Sequence, residues 1–198
     1  METEEKNLSA QESLRVIRET IDLAKHGFRE DGFHFLLWGW LVAIASATDW
    51  YLAVIQQDPR HSMAWMIMVV IGVPVSLIRE ARLGKRRKEK NIVRKWYGLV
   101  WLGYGISMAL AIPMSVRMGL SPVPFILVLT GFATYMSGVL LKFNPLLLGA
   151  AVIWAGALWC MFLSKEQHLI VQAATAVLGY LVPGYLLNSQ SKNHVPGA

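Results

Sequence analysis

The sequence predicts an all-α membrane protein: six transmembrane helices as three consecutive hairpins, preceded by an amphipathic helix on the cytoplasmic side. Three observations predict it. Of the 198 residues, 55% are hydrophobic and only 16% are charged, whereas a soluble domain averages about 25% charged residues. The charges are bunched at the ends of successive apolar runs, each near the length that a helix needs to cross a bilayer. A basic connector, residues 79–95 (REARLGKRRKEKNIVRK), is flanked on both sides by these runs and fixes how every helix points.

The connector also accounts for the basicity of the chain. It holds nine Lys/Arg against two Glu, a local charge of +7 that exceeds the +6 of the whole chain. Its densest part, Lys85, Arg86, Arg87 and Lys88, is expected to meet anionic lipid head groups, which is what such loops ordinarily face. Nucleic acid is not an expected partner. The one cysteine, Cys160, lies in an apolar run and excludes an intrachain disulfide. A cleavable signal peptide is not expected, because the first 30 residues are polar and the first apolar run is too long.

Residues 1–31 form the first expected unit, a cytoplasmic amphipathic helix over 9–30. Ser9-Ala-Gln-Glu12 fits a capping box, and Leu14, Ile17, Ile21, Ala24 and Phe28 make one narrow apolar stripe. Surface-bound helices usually carry a basic polar face. Here acidic residues outnumber basic ones through Asp31, which favours packing on protein.

The transmembrane unit covers 32–188, and a polar cytoplasmic tail covers 189–198. Span one, 33–52, carries Gly39, Ala43 and Ala47 four apart, a track on which a neighbouring helix can approach closely. Trp38 and Trp40 at one end and Trp50 and Tyr51 at the other suit the two interfaces. A turn at 56–62 with Asp58-Pro59 leads to span two, 63–78, whose core is about 24 Å long and continues as helix into the connector. Span three starts at Trp96-Tyr97 and runs to Pro113. A loop over 114–124 follows, and Pro124 suits the first turn of span four, 125–141. Lys142-Phe-Asn-Pro145 is a tight turn, with Asn144 the expected N-cap of span five, which reaches Leu163. Residues 164–168 turn the chain into span six, 169–187.

Six spans put both termini on one side. That side holds 16 Lys/Arg and the other three, Arg60, Arg117 and Lys165. The positive-inside rule therefore places both ends in the cytoplasm. The inner ends of the even-numbered spans, Pro74-Val-Ser-Leu-Ile-Arg79, Ser137-Gly-Val-Leu-Leu-Lys142 and Pro183-Gly-Tyr-Leu-Leu-Asn188, share a weak repeat. It fits triplication of a hairpin and equally fits chance among Leu-rich helices.

Ionisable residues in apolar helices are the usual functional pointer, since keeping them there is costly. Asp49 is the leading candidate. It can be a solvated carboxylate at a helix end, or part of a polar vestibule formed by Ser46, Thr48 and Asp49 of span one with Gln172 and Thr175 of span six. The second reading requires spans one and six to touch. Thr130, Thr134 and Gly138 on span four, with Tyr135 and Ser137, read as interhelical packing with hydroxyl hydrogen bonds. Pro74 and Pro183 read as tolerated kinks. His26, His34, His61, His168 and His194 have no metal-ligand spacing, and no cofactor, metal or catalytic set is expected.

FLLWGW at 35–40, preceded by ESLRVIRETIDLAKHGFREDGF, together with Leu181-Val-Pro-Gly-Tyr-Leu-Leu187, resembles a family of uncharacterised bacterial six-span membrane proteins of Bacteroidota type that end in an IPGYLL-like motif. Asn188 departs from that pattern, where related tails carry a basic residue. The resemblance implies an inner-membrane location and supplies no activity. The expectation is therefore a non-enzymatic scaffold, oligomer subunit or regulator whose partners are lipid head groups and a further copy or another membrane protein. A small transporter or channel is the alternative.

Overall fold

The computed structural model describes residues 32–86 and 92–192, which are helix and connecting turns without a strand. The expected N-terminal amphipathic helix, and Arg87 and Lys88 of the connector, lie outside the described residues. Helix α1 spans Phe33–Trp50 and continues through a π turn at Tyr51–Ile55. Helix α2 covers Met63–Arg86, α3 Ile92–Arg117, α4 Val123–Leu141 and α5 Asn144–Trp159, closed by a 3-10 turn at Cys160–Phe162. The last long element is α6, Lys165–Ala176, a π turn at Val177–Leu181, and α7, Val182–Lys192. Among the described residues, six helical stretches are long and apolar enough to cross a membrane.

Several boundaries differ from the sequence reading. Helix α3 runs through Pro113 to Arg117. A proline inside an apolar helix is tolerated where local adjustment re-satisfies the freed carbonyl. Asn144 is the first helical residue and not the cap, since the extended residue before the helix is Phe143 and no side chain caps it. The segment expected as a turn over 164–168 is already helix. Ser164 and Gln167 form a reciprocal capping box there, with Gln167 Oε1 accepting from the Ser164 amide at 3.0 Å. Lys142 ends α4 in the left-handed region at φ 49°, and so turns the chain within two residues into α5.

Helix α1 packs against α2 and against the α6–α7 element. Helix α4 packs against α3 and α5, and α5 packs against the α6–α7 element. The core lies among α1, α4, α5 and the last element, where Phe35, Leu127, Leu146, Ile153 and Tyr180 are buried. Helices α2 and α3 sit outside it. Only 6% of the positions in either span are buried, against 28–44% in the other four.

The π turn in the last element has a definite chemical cause. Pro183 has no N–H to give the Gly179 carbonyl, and the chain widens to a π turn in which the Val182 amide reaches Val177. Gly149 of α5 sits against the carbonyl thus freed: a Cβ at Gly149 would stand 2.5 Å from Gly179 O. Only a glycine allows that backbone approach.

Candidate functional site

Two turns and three helices build the site at the end of the bundle remote from the connector. After the π turn, Gln56 and Gln57 reverse the chain, Gln57 at φ 52° and the Asp58 amide donating to Leu52 O at 3.0 Å. The reversal lays His61 and the first turn of α2 back over the end of α1. There the Asp49 carboxylate accepts two hydrogen bonds, from His61 Nδ1 at 2.5 Å and from Trp65 Nε1 at 2.7 Å. Ser62 Oγ lies 3.4 Å from the same histidine nitrogen. With the carboxylate as acceptor, Nδ1 is the donor, and Nε2 is the other nitrogen of the ring. The Asp49 side chain is 7% exposed and that of His61 38%.

In the same loop the Arg60 amide donates to Asp58 Oδ1 at 2.8 Å. That backbone hydrogen bond, helped by the Arg60 charge, holds the exposed Asp58 carboxyl below its ordinary range.

Behind Asp49, the antiparallel seam between α1 and the last element sets a register. The space beside Gly39 is filled by Tyr180 and Leu181, and that beside Gly184 by Phe35 and Leu36. The seam also brings α1 against α6 itself. Ser46, Asp49, His168, Gln172 and Thr175 are all buried. Thr175 donates to the carbonyls of Val171 and Gln172. His168 Nε2–H donates to Cys160 O at 2.8 Å and to Leu163 O at 3.2 Å, which fixes its tautomer. Ser46 Oγ, Gln172 Oε1 and His168 Nδ1 are buried without a hydrogen-bond partner among the described residues.

Spans one and six touch, and Ser46, Asp49, Gln172 and Thr175 are each buried, Ser46 at 0% and Gln172 at 2% exposure. Thr48 is exposed, because successive residues on an α-helix point about 100° apart and a face that buries Asp49 turns Thr48 outwards. His61 and Trp65, which hold the carboxylate, were not among the expected site residues. The available signal was a histidine and a tryptophan in the turn that follows an aspartate at a helix end.

The remaining candidates fall into packing roles. Tyr104 of α3 and Thr130 of α4 share a hydrogen bond of 3.0 Å, while Thr134 and Ser137 donate to carbonyls of their own helix at 2.7 Å. Gly138 leaves room for Leu147. Ala47, expected on the close-approach track, is exposed, while Gly39 and Ala43 are buried. At the connector end His34 Nε2 pairs with Glu80 at 3.2 Å and Arg79 lies 4.0 Å above the Phe33 ring, so α1 and α2 are tied at both ends. Lys85 and Arg86 continue α2 towards the connector. Among the described residues no cluster of three or more His, Cys, Asp or Glu could hold a metal ion.

No family model, curated protein or solved structure matches the chain.

Proposed function

We propose that the chain is an integral protein of the bacterial inner membrane, crossing six times as three hairpins, that works through protein and lipid contacts and carries no catalytic activity. The distribution of 16 Lys/Arg against three supports cytoplasmic ends and a cytoplasmic connector. The packing of α1 on α2, of α3 on α4 and of α5 on the last element supports the hairpin reading. Lys85, Arg86, Arg87 and Lys88 would hold anionic head groups, at about 1 kcal/mol for each basic residue near the surface.

The observation that carries the reading is the position of α2 and α3. Two of the six spans bury only 6% of their positions, and most of their large apolar side chains face whatever surrounds the bundle. A second copy or another membrane protein would cover that surface, and the stripe over 9–30 offers a further contact on the cytoplasmic side. The test is purification of the full chain in native lipid, followed by mass measurement of the intact particle. A dimer or a co-purifying membrane protein is expected, and it should be lost when residues 1–30 are deleted. A monodisperse monomer with no companion overturns the reading.

A second reading, a small transporter or channel, is favoured by Ser46 Oγ, Gln172 Oε1 and His168 Nδ1. Buried polar atoms without partners carry a cost that water or a passing solute would relieve. Asp49→Asn should then change solute flux into reconstituted vesicles.

A further inference from the structure

Neither the apolar flank of α2 and α3 nor the open space beside the glycines of α3 specifies a ligand. The buried carboxylate at the remote end does. We propose that Asp49 and His61 form a proton-exchange site, in which His61 is the port through which a proton from the solvent reaches the buried carboxyl. The inference holds under either functional reading above.

Four features carry it. Asp49 is a carboxyl set in an apolar helix with its side chain 7% exposed. Its link to solvent is an imidazole whose Nδ1 touches Asp49 Oδ1 at 2.5 Å and whose side chain is 38% exposed. The far nitrogen, Nε2, has no partner among the described residues and is the atom that the Nδ1–H tautomer leaves basic. Trp65 Nε1 donates to Oδ2 from the other side and holds the carboxyl in place in both protonation states.

The step balances with a single proton. An acid in solution gives its proton to the Nε2 lone pair. The Nδ1–H bond then breaks towards Asp49, and an O–H bond forms at Oδ1. The ring is left neutral and protonated at Nε2, and the carboxyl is left neutral. The site has gained one proton and one positive charge. Loss of the Nε2 proton to solvent and return of the carboxyl proton to Nδ1 reset it. The charged and titratable groups around His61 are Asp49 on α1, with Asp58 and Arg60 in its own loop. Trp65 on α2 is neutral, and His168 on α6 is buried with its Nε2 on Cys160 O.

The experiment uses the full chain reconstituted in liposomes and infrared difference spectroscopy during acidification. A carboxylic-acid carbonyl band that is absent from Asp49→Asn is expected. Transfer to deuterated buffer should shift the band at once in the wild type. In His61→Phe the shift should be about a hundredfold slower, the lower range for a positioned acid–base group, and added imidazole should restore it. Should Asp49→Asn fail to fold, ¹³C-aspartate labelling of the wild type assigns the band, and ¹⁵N resonances of His61 report the tautomer. No aspartate band on acidification, exchange in His61→Phe at the wild-type rate, or a His61 protonated at Nε2 alone before acidification would each overturn the proposal.

Discussion

The indole of Trp65 donates to the carboxylate of Asp49 at 2.7 Å, across the turn that joins the first two helices. A hydrogen bond to a charged group is worth more than a neutral one, about 1.5–3 kcal/mol. Trp65→Phe keeps an aromatic ring in place and removes only the donor. It should lower unfolding stability in detergent by about 2 kcal/mol, read as a shift in the denaturant midpoint, and Asp49→Leu should suppress most of that effect.

Gly149 meets a carbonyl and not a flexible side chain, so the neighbour cannot yield cheaply. Gly149→Ala places a Cβ where the Gly179 oxygen stands 2.5 Å away. A loss of about 1–3 kcal/mol is expected from overpacking. Gly103→Ala, where nothing lies within 4 Å, is the control and should be neutral or slightly stabilising. Thermal unfolding of the two purified variants separates these outcomes.

Ser46 is fully buried and its hydroxyl has no partner among the described residues. Removing an unsatisfied polar atom relieves its desolvation cost. Ser46→Ala should therefore unfold at an equal or higher denaturant concentration than the wild type, by up to about 1 kcal/mol. A clear loss of stability would mean that the hydroxyl is satisfied in the membrane.

The loop over 56–62 should respond to acid through Asp58. Its carboxyl is held below the ordinary range by the Arg60 amide, so its stabilising contribution is present above the unfolded value, about 3.9. That contribution is lost as the pH falls through the lowered folded value. Amide exchange in this loop should accelerate only below about pH 4. Asp58→Asn should remove that acid-dependent part.

The six long helices were legible because the bilayer imposes one length and one composition on each, and hydropathy reads both. What lies inside the layer was less legible. Asp49 stood out by charge alone, but its partners His61 and Trp65 reach it only because Gln57 takes a left-handed conformation that no periodicity announces. Thr48 is exposed beside the buried Asp49 because helical geometry separates neighbours in sequence. Pro113 was read as a helix end on a rule drawn from helices in water. The capping box at Ser164 and Gln167 was fully visible in the sequence and was passed over as a turn.

The seam at Gly39 joins the first long helix to the last. During synthesis its socket for Tyr180 and Leu181 stays vacant while four intervening helices are made. Closure of the bundle is therefore the final event of assembly. A chain cut short anywhere before Tyr180 would be left with an unfilled flank on its opening helix, open to quality-control proteases of the membrane.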